Sequence, residues 1–146
     1  MSRPDAPLIL LDTNVWSVLH GVRRQDGGPD LTRWHQHLAG AVETICLQVR
    51  AEVLAGTRAW GPRRAAETAA LLDQTPTYPI DEAVVQAYAT LAYQARQSGH
   101  AIHQKIHDGD RWIAATAISL GIPLLSADKA FRGAPGLDLI DWWSAA

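Results

Sequence analysis

The 146-residue chain has a single cysteine, Cys46, one methionine and one phenylalanine. One thiol makes no internal disulfide, so the fold must rest on its core, and neither a disulfide scaffold nor a cysteine-based metal module is possible. Long apolar runs are missing too: nothing approaches the roughly 18 residues of a membrane span. The first apolar run, Leu8-Ile9-Leu10-Leu11, is too short for the apolar stretch of an export signal. The expectation is a cytoplasmic protein with no membrane partner. An excess of one charge is also absent, since 13 Lys and Arg face 15 Asp and Glu for a formal charge of −2. A polyanion such as nucleic acid would therefore need a local positive surface.

What is present is ordinary globular material. The chain is 47% hydrophobic and 19% charged, which excludes a disordered or highly charged tail protein, and its length suits one domain with a continuous core. We expect a single domain over 1–146, with its core at about 8–141. Leu8 to Leu11 reads as a strand buried on both faces, followed by a short helix from Thr13 to His20 that Gly21 ends. Arg23 to Pro29 reads as a surface loop, and Pro29-Asp30 opens a helix to about Gly40 with Leu31, Trp34 and Leu38 on one face. Val42 to Val49 reads as a second strand, with helical spacing resuming over Arg50 to Trp60. A helix from Pro62 to Asp73 precedes an edge strand at Thr77-Tyr78-Pro79-Ile80. Asp81 to Ser98 is the longest periodic segment, with Val84, Val85, Tyr88, Leu91, Ala92 and Ala95 in one stripe, Asp81 as cap and Gly99 as stop. After a polar loop, a helix over Asp110 to Leu120 leads into a strand that stops at Ser126-Ala127-Asp128, and Leu137 to Ile140 reads as a last strand. Short apolar strands alternating with helices predict a three-layer α/β/α sandwich around a short parallel sheet, whose ligands gather at the carboxyl ends of the strands.

Four acids fall near that edge: Asp12 after the first strand, Glu52 after the second, Asp110 at the start of the late helix, and Asp128 after a strand. Taken singly, Asp12 and Asp110 read equally well as helix caps and Glu52 as a solvated face residue. Gathered together, carboxylates repel one another and lose hydration, so such a group persists only if cations neutralise it or its members take up protons. Hard oxygen donors with room for water suit Mg²⁺ or Mn²⁺.

Four successive segments carry a resemblance. Leu10-Leu11-Asp12-Thr13-Asn14-Val15, Ala51-Glu52-Val53-Leu54-Ala55-Gly56, Asp110-Arg111-Trp112-Ile113-Ala114-Ala115-Thr116-Ala117 and Pro123-Leu124-Leu125-Ser126-Ala127-Asp128 resemble, in order and spacing, the motifs of PIN domains, most closely the VapC-type toxins of bacterial toxin–antitoxin pairs. The resemblance spans about residues 8 to 140. It implies a PIN-like fold and a Mg²⁺- or Mn²⁺-dependent endoribonuclease whose acidic ligands match Asp12, Glu52, Asp110 and Asp128. Thr13, Asn14, Thr116 and Ser126 match the polar neighbours of those carboxylates. It further implies a homodimer, a cognate VapB-type antitoxin, and a structured RNA substrate such as tRNA or rRNA. The alternative is a catalytically silent PIN-like module that only binds RNA or protein. One departure is His107-Asp108-Gly109-Asp110, which offers two aspartates where the motif needs one. Spacing assigns the ligand to Asp110, leaving Asp108 as a supporting group or a solvated loop residue.

If metal neutralises four carboxylates, 13 basic residues remain against 11 acidic ones and RNA binding becomes feasible. Arg23, Arg24, Arg50, Arg58, Lys105 and Arg111 are the candidates for phosphate contacts. Eleven of the thirteen cations are arginine, which binds phosphate bidentately. Arg111, beside Asp110, is the first of these to test. His103 and His107 are spaced i, i+4, but the segment lacks a third ligand at fixed spacing, and with His100 they read as polar loop. The tryptophans read as core or interface residues, with Trp142-Trp143 suited to a partner surface. A haloacid-dehalogenase-type phosphohydrolase would need an acid where Asn14 stands, and neither a nucleophile elbow nor a phosphate-binding Gly-Lys loop is present.

Overall fold

The computed structural model describes residues 5–24 and 31–140. Strands β1 (Leu8–Leu11), β2 (Val42–Cys46), β3 (Thr77–Tyr78), β4 (Leu124–Leu125) and β5 (Leu139–Ile140) form one parallel sheet in the order β3-β2-β1-β4-β5. Leu10 of β1 pairs with Thr44 on one side and Leu124 on the other, so β1 is central. Ile9, Leu10 and Leu11 are buried in succession, as an unbroken apolar run requires when both sheet faces are covered.

The helices are α1 (Thr13–Leu19), α2 (Leu31–Leu38), α3 (Leu47–Thr57), α4 (Pro62–Asp73), α5 (Glu82–Ser98) and α6 (Asp108–Leu120). Right-handed crossovers place the helices between β1 and β3 on one face of the sheet and α5 and α6 on the other, giving three layers. Accordingly α3 packs on α1 and α4, whereas α5 packs along α6. The chain leaves β1 toward β2 and later returns to β4 on the other side, so the order reverses between β1 and β4. In such sheets that reversal opens a crevice at the carboxyl edge. Among the described residues no helix is long and apolar enough to cross a membrane.

Several expected boundaries move. β2 stops at Cys46 rather than Val49, and Leu47 starts a helix with Val49, Val53 and Thr57 buried at i, i+4 and i+8. A short apolar run fits either period, and here the helical face won because Leu47 is exposed. α6 begins at Asp108 instead of Asp110, directly after two 3₁₀ turns, Ala101–His103 and Lys105–His107, that occupy the expected loop. Asp110 therefore lies within the first turn and is not a cap. Val85, assigned to the buried stripe of α5, is exposed, and β5 is limited to Leu139–Ile140. The expected helix start at Pro29-Asp30, the later part of the Arg23–Pro29 loop, the final residue of the expected core and Trp142-Trp143 lie outside the described residues.

Two caps hold as read. Asp81 accepts from the Val84 amide at 2.9 Å, and Gly99 closes α5 at φ 70°, a left-handed conformation that glycine adopts without strain.

Candidate active site

Asp12 stands where β1 gives way to α1, and its carboxylate does two things at once. Oδ1 caps α1 by accepting from the Val15 amide at 2.8 Å, and Oδ2 accepts a short hydrogen bond from the Ser126 hydroxyl. Asp12 is therefore the cap of α1 and is also tied to the end of β4. Ser126 also accepts from the Asp128 amide at 3.0 Å, so one buried hydroxyl ties the ends of β1 and β4 together. Asp128 in turn caps the 3₁₀ turn Lys129–Phe131 through the Ala130 amide and remains exposed.

Glu52 reaches the same place from α3. It accepts from the Thr13 hydroxyl at 3.3 Å and from Gln48 at 3.4 Å, one helical turn earlier. Asp110 arrives from α6, its Oδ2 accepting from His107 Nδ1 at 2.8 Å. Gly109 leaves room for Gln48 where α6 passes α3: a Cβ there would lie 2.9 Å from Gln48 Nε2 and 3.6 Å from Glu52 Oε2 and would displace that side chain. Asp12, Glu52, Asp110 and Asp128 all line one cleft of about 570 Å³, together with Asn14, Arg23 and Ile113.

Electrostatics mark the cleft as unusual. Burial raises the Asp12 pKa to about 6, opposed by the Ser126 and Val15 hydrogen bonds and assisted by the charges of Asp128 and Asp110. Glu52 and Asp110 are also held above the normal carboxylate range, in both cases chiefly by desolvation. Three perturbed acids in one cleft are a functional signature. Their hard oxygens fit Mg²⁺ or Mn²⁺, because a cation would relieve the repulsion and lost hydration that push these values up. Among the described residues no three His, Cys, Asp or Glu side chains converge enough to enclose an ion unaided.

The other anticipated residues are distributed unevenly. Thr13 and Ser126 hold carboxylates, and Asn14 lines the cleft while accepting from Arg23 at 3.4 Å. Thr116 is buried and returns its hydroxyl to the Trp112 carbonyl at 2.9 Å. Asp108 turns to Tyr88 and Arg111 and does not line the cleft. Arg111, expected to meet phosphate, is 7% exposed, and its guanidinium donates to the Ile102 and Gln104 carbonyls (both 2.6 Å), to Tyr88 and to Asp108. It fastens the 3₁₀ turns to α6 instead. Arg50 pairs with Asp73 at 2.9 Å, and Lys105 is exposed; neither lines the cleft. Arg23 is the candidate cation that does.

The histidines of the segment before α6 are held by protein partners. His100 Nδ1 accepts from the Ile102 amide, so its proton sits on Nε2 and is donated to the Arg132 carbonyl at 2.6 Å. His103 donates to the His100 carbonyl at 2.6 Å. Sequence reasoning missed that His107 supports Asp110 and that Gln48 supports Glu52. Spacing carried both signals, three residues before one acid and four before the other on a helix face.

Known proteins with a similar sequence or shape can now be compared with this geometry. The model of the PIN domain family matches residues 9–137. Ribonuclease VapC4 of Mycobacterium tuberculosis (strain ATCC 25618 / H37Rv) is 35% identical over 86 residues, spanning 57% of this chain and 63% of that protein. The match thus covers less than two-thirds of that relative. VapBC2 from Rickettsia felis, solved bound to a DNA fragment from its promoter, superposes with a TM-score of 0.72 at 20% identity, covering 92% of this chain and 98% of that one. FitAcB from Neisseria gonorrhoeae superposes with a TM-score of 0.70 at 24% identity, covering 94% and 99%. At such identities the likeness to the solved structures is one of fold.

Proposed function

The chain belongs to the PIN domain family, and from that premise we propose that it is a Mg²⁺- or Mn²⁺-dependent endoribonuclease toxin, one PIN domain over 1–146, neutralised by a VapB-type antitoxin. One observation carries the reading: Asp12, Glu52, Asp110 and Asp128 come from four separate parts of the chain to a single cleft at the carboxyl edge of the sheet. The identity to a ribonuclease and the fold shared with VapBC complexes support it. The substrate class is structured RNA, tRNA or rRNA, and the toxin acts as a homodimer in the cytoplasm.

Asp12, Glu52, Asp110 and Asp128 are the groups that would hold the cation, which when bound lowers the pKa of a water and neutralises charge on the phosphodiester. The protein's own part is to fix the carboxylates. Ser126 holds Asp12 while receiving the Asp128 amide, Thr13 and Gln48 hold Glu52, and His107 holds Asp110. The carboxylates of Asp12, Glu52 and Asp110 are thus each held before substrate arrives, the pre-organisation that in-line hydrolysis demands. With Asp12 at about 6, its carboxylate is ionised above that pH and can serve a cation, and protonated below it.

The test is incubation of the purified chain, freed of partners, with total RNA in Mg²⁺, Mn²⁺ or EDTA, beside Asp12→Asn and Asp110→Asn. Discrete cleavage that requires metal and disappears in both variants is expected. Absence of cleavage by folded, metal-loaded protein would transfer the chain to the silent binding-module reading.

A further inference from the structure

Arg23 stands apart from its surroundings. It lines the same cleft as Asp12, Glu52, Asp110 and Asp128, where a guanidinium would ordinarily close on a carboxylate. Among the described residues it makes an ion pair with none of these acids. Its Nη1 donates instead to the side-chain oxygen of Asn14, which also lines the cleft, at 3.4 Å. An amide oxygen orients a guanidinium without cancelling its charge.

The backbone is arranged to bring Arg23 there. Gly21, at φ 71°, reverses the chain after α1, a turn that glycine makes without strain. Its amide donates to the Val18 carbonyl at 3.2 Å, and the amides of Val22 and Arg23 share the Ser17 carbonyl at 2.8 and 3.1 Å. From the other side, Arg64 donates to the Val22 carbonyl at 3.0 Å while its guanidinium lies 3.9 Å from the centre of the Trp60 ring. The backbone that carries Arg23 is thus pinned to both α1 and α4. The side chain remains exposed and returns along α1 to Asn14 in its first turn.

A cation fixed at its base, aimed by a neutral group and left unpaired beside four acids is available to an incoming anion. In the proposed reaction that anion is a phosphodiester. During hydrolysis a water oxygen bonds to phosphorus, and the bond to one ribose oxygen breaks with its electron pair left on that oxygen. A proton lost by the water is matched by one gained there. Negative charge on the phosphoryl oxygens must be stabilised on the way. A guanidinium neither gives nor takes a proton at working pH, and its fork can meet two of those oxygens.

We propose that Arg23 is a catalytic residue of this cleft, its guanidinium aimed by Asn14 at the non-bridging oxygens of the scissile phosphate and bonding them most strongly in the transition state. This rests on the nuclease reading and adds to the four acids a cation that the chain itself supplies.

The test is steady-state cleavage, by the full chain in Mg²⁺, of a labelled RNA that the wild type cuts. Arg23→Ala should lower kcat about a hundredfold, the scale of one lost donor to a developing oxyanion, with KM little changed. Added guanidinium chloride, below denaturing concentration, should restore part of that kcat. Arg23→Lys should fall between wild type and Arg23→Ala, because a point charge lacks the fork. Asn14→Ala should lower kcat in the wild-type background and add nothing to Arg23→Ala, since it acts through that side chain. Arg96→Ala, which does not line the cleft, should change nothing. Melting temperatures should stay at the wild-type value, because Asn14 and Arg23 are both exposed. A readout without cleavage is RNA binding by Asp12→Asn in EDTA, which Arg23→Ala should weaken far less than it lowers kcat. An unchanged kcat in Arg23→Ala overturns the proposal and leaves the nuclease reading intact. A rise in KM alone does the same, as it would make Arg23 a ground-state contact. A lost kcat that guanidinium does not restore, with a lowered melting temperature, overturns it in favour of a structural role. A folded wild-type chain that cuts no RNA removes the nuclease reading and the role of Arg23 together.

Discussion

On the α6 wall of the cleft the arginine is locked, whereas on the α3 wall arginines stand free of the core. Arg111 is buried and bonded to two carbonyls, Tyr88 and Asp108, and through the turns it fastens it sets His107 against Asp110. Arg23 and Arg58 are exposed, and Arg50 and Arg63 make exposed pairs with Asp73 and Glu67. Exposed pairs contribute little, whereas cutting a buried network leaves stranded acceptors. One residue type thus serves two purposes: a buried guanidinium fastens the turns beside an acid, and exposed ones stand on the surface, two of them paired with carboxylates.

Removing the arginine from each wall should expose the difference most strongly. Arg111→Ala should destabilise the fold by about 3 kcal/mol, since it strands the Ile102 and Gln104 carbonyls, and Arg58→Ala should stay within about 0.5 kcal/mol. Equal effects in chemical denaturation would erase the distinction.

The acids can be tested through pH. The folded pKa of Asp12, about 6, lies above the ordinary carboxylate value of 3.8, so its contribution to stability is full below the unfolded pKa and is lost as pH rises through 6. In metal-free protein at pH 7.5, Asp12→Asn should therefore raise stability by about 2 kcal/mol, with the gain vanishing toward pH 4. Mg²⁺ should shrink the gain at pH 7.5, and a pH-independent difference would break the link between burial and function.

Next in size is the support of Asp110. His107→Phe should lower RNA cleavage about tenfold, the lower range for losing a group that orients a ligand, with little change in melting temperature. Gly109→Ala should have the smallest effect on the fold. The better helix former offsets displacement of the flexible Gln48 side chain, leaving stability within about 0.5 kcal/mol. Cleavage should still fall severalfold, as Gln48 lets go of Glu52. A sharp loss of stability would mean that the two walls are packed more rigidly than the Gln48 contact implies.

Much of this was legible in the chain. The run Leu8–Leu11 and the stripe over Val84, Leu91 and Ala95 announced their elements because burial on both faces and helical periodicity each leave a pattern in the residues. The meeting of Asp12, Glu52, Asp110 and Asp128 at one edge followed from strands that end in acids and from a resemblance in motif order. The role of Arg111 was not legible, because a charge next to an acid looks the same whether its guanidinium faces a cleft or two buried carbonyls. The boundary at Leu47 was equally hidden, since Ile45, Cys46 and Leu47 satisfy both periods.

The sequence by itself therefore determined the alternation of strands and helices, the caps at Asp12 and Asp81, and the identity of the four acids, because each depends on local spacing and chemistry. Tertiary structure alone decided which of the polar candidates hold those acids, Thr13 and Ser126 but not Thr116, and which cations face the cleft. Ser126 and Asp12 are 114 residues apart, and Glu52 and Thr13 are 39 apart. Such pairings depend on how the sheet order reverses between β1 and β4, a property of the whole packed chain that no short segment records.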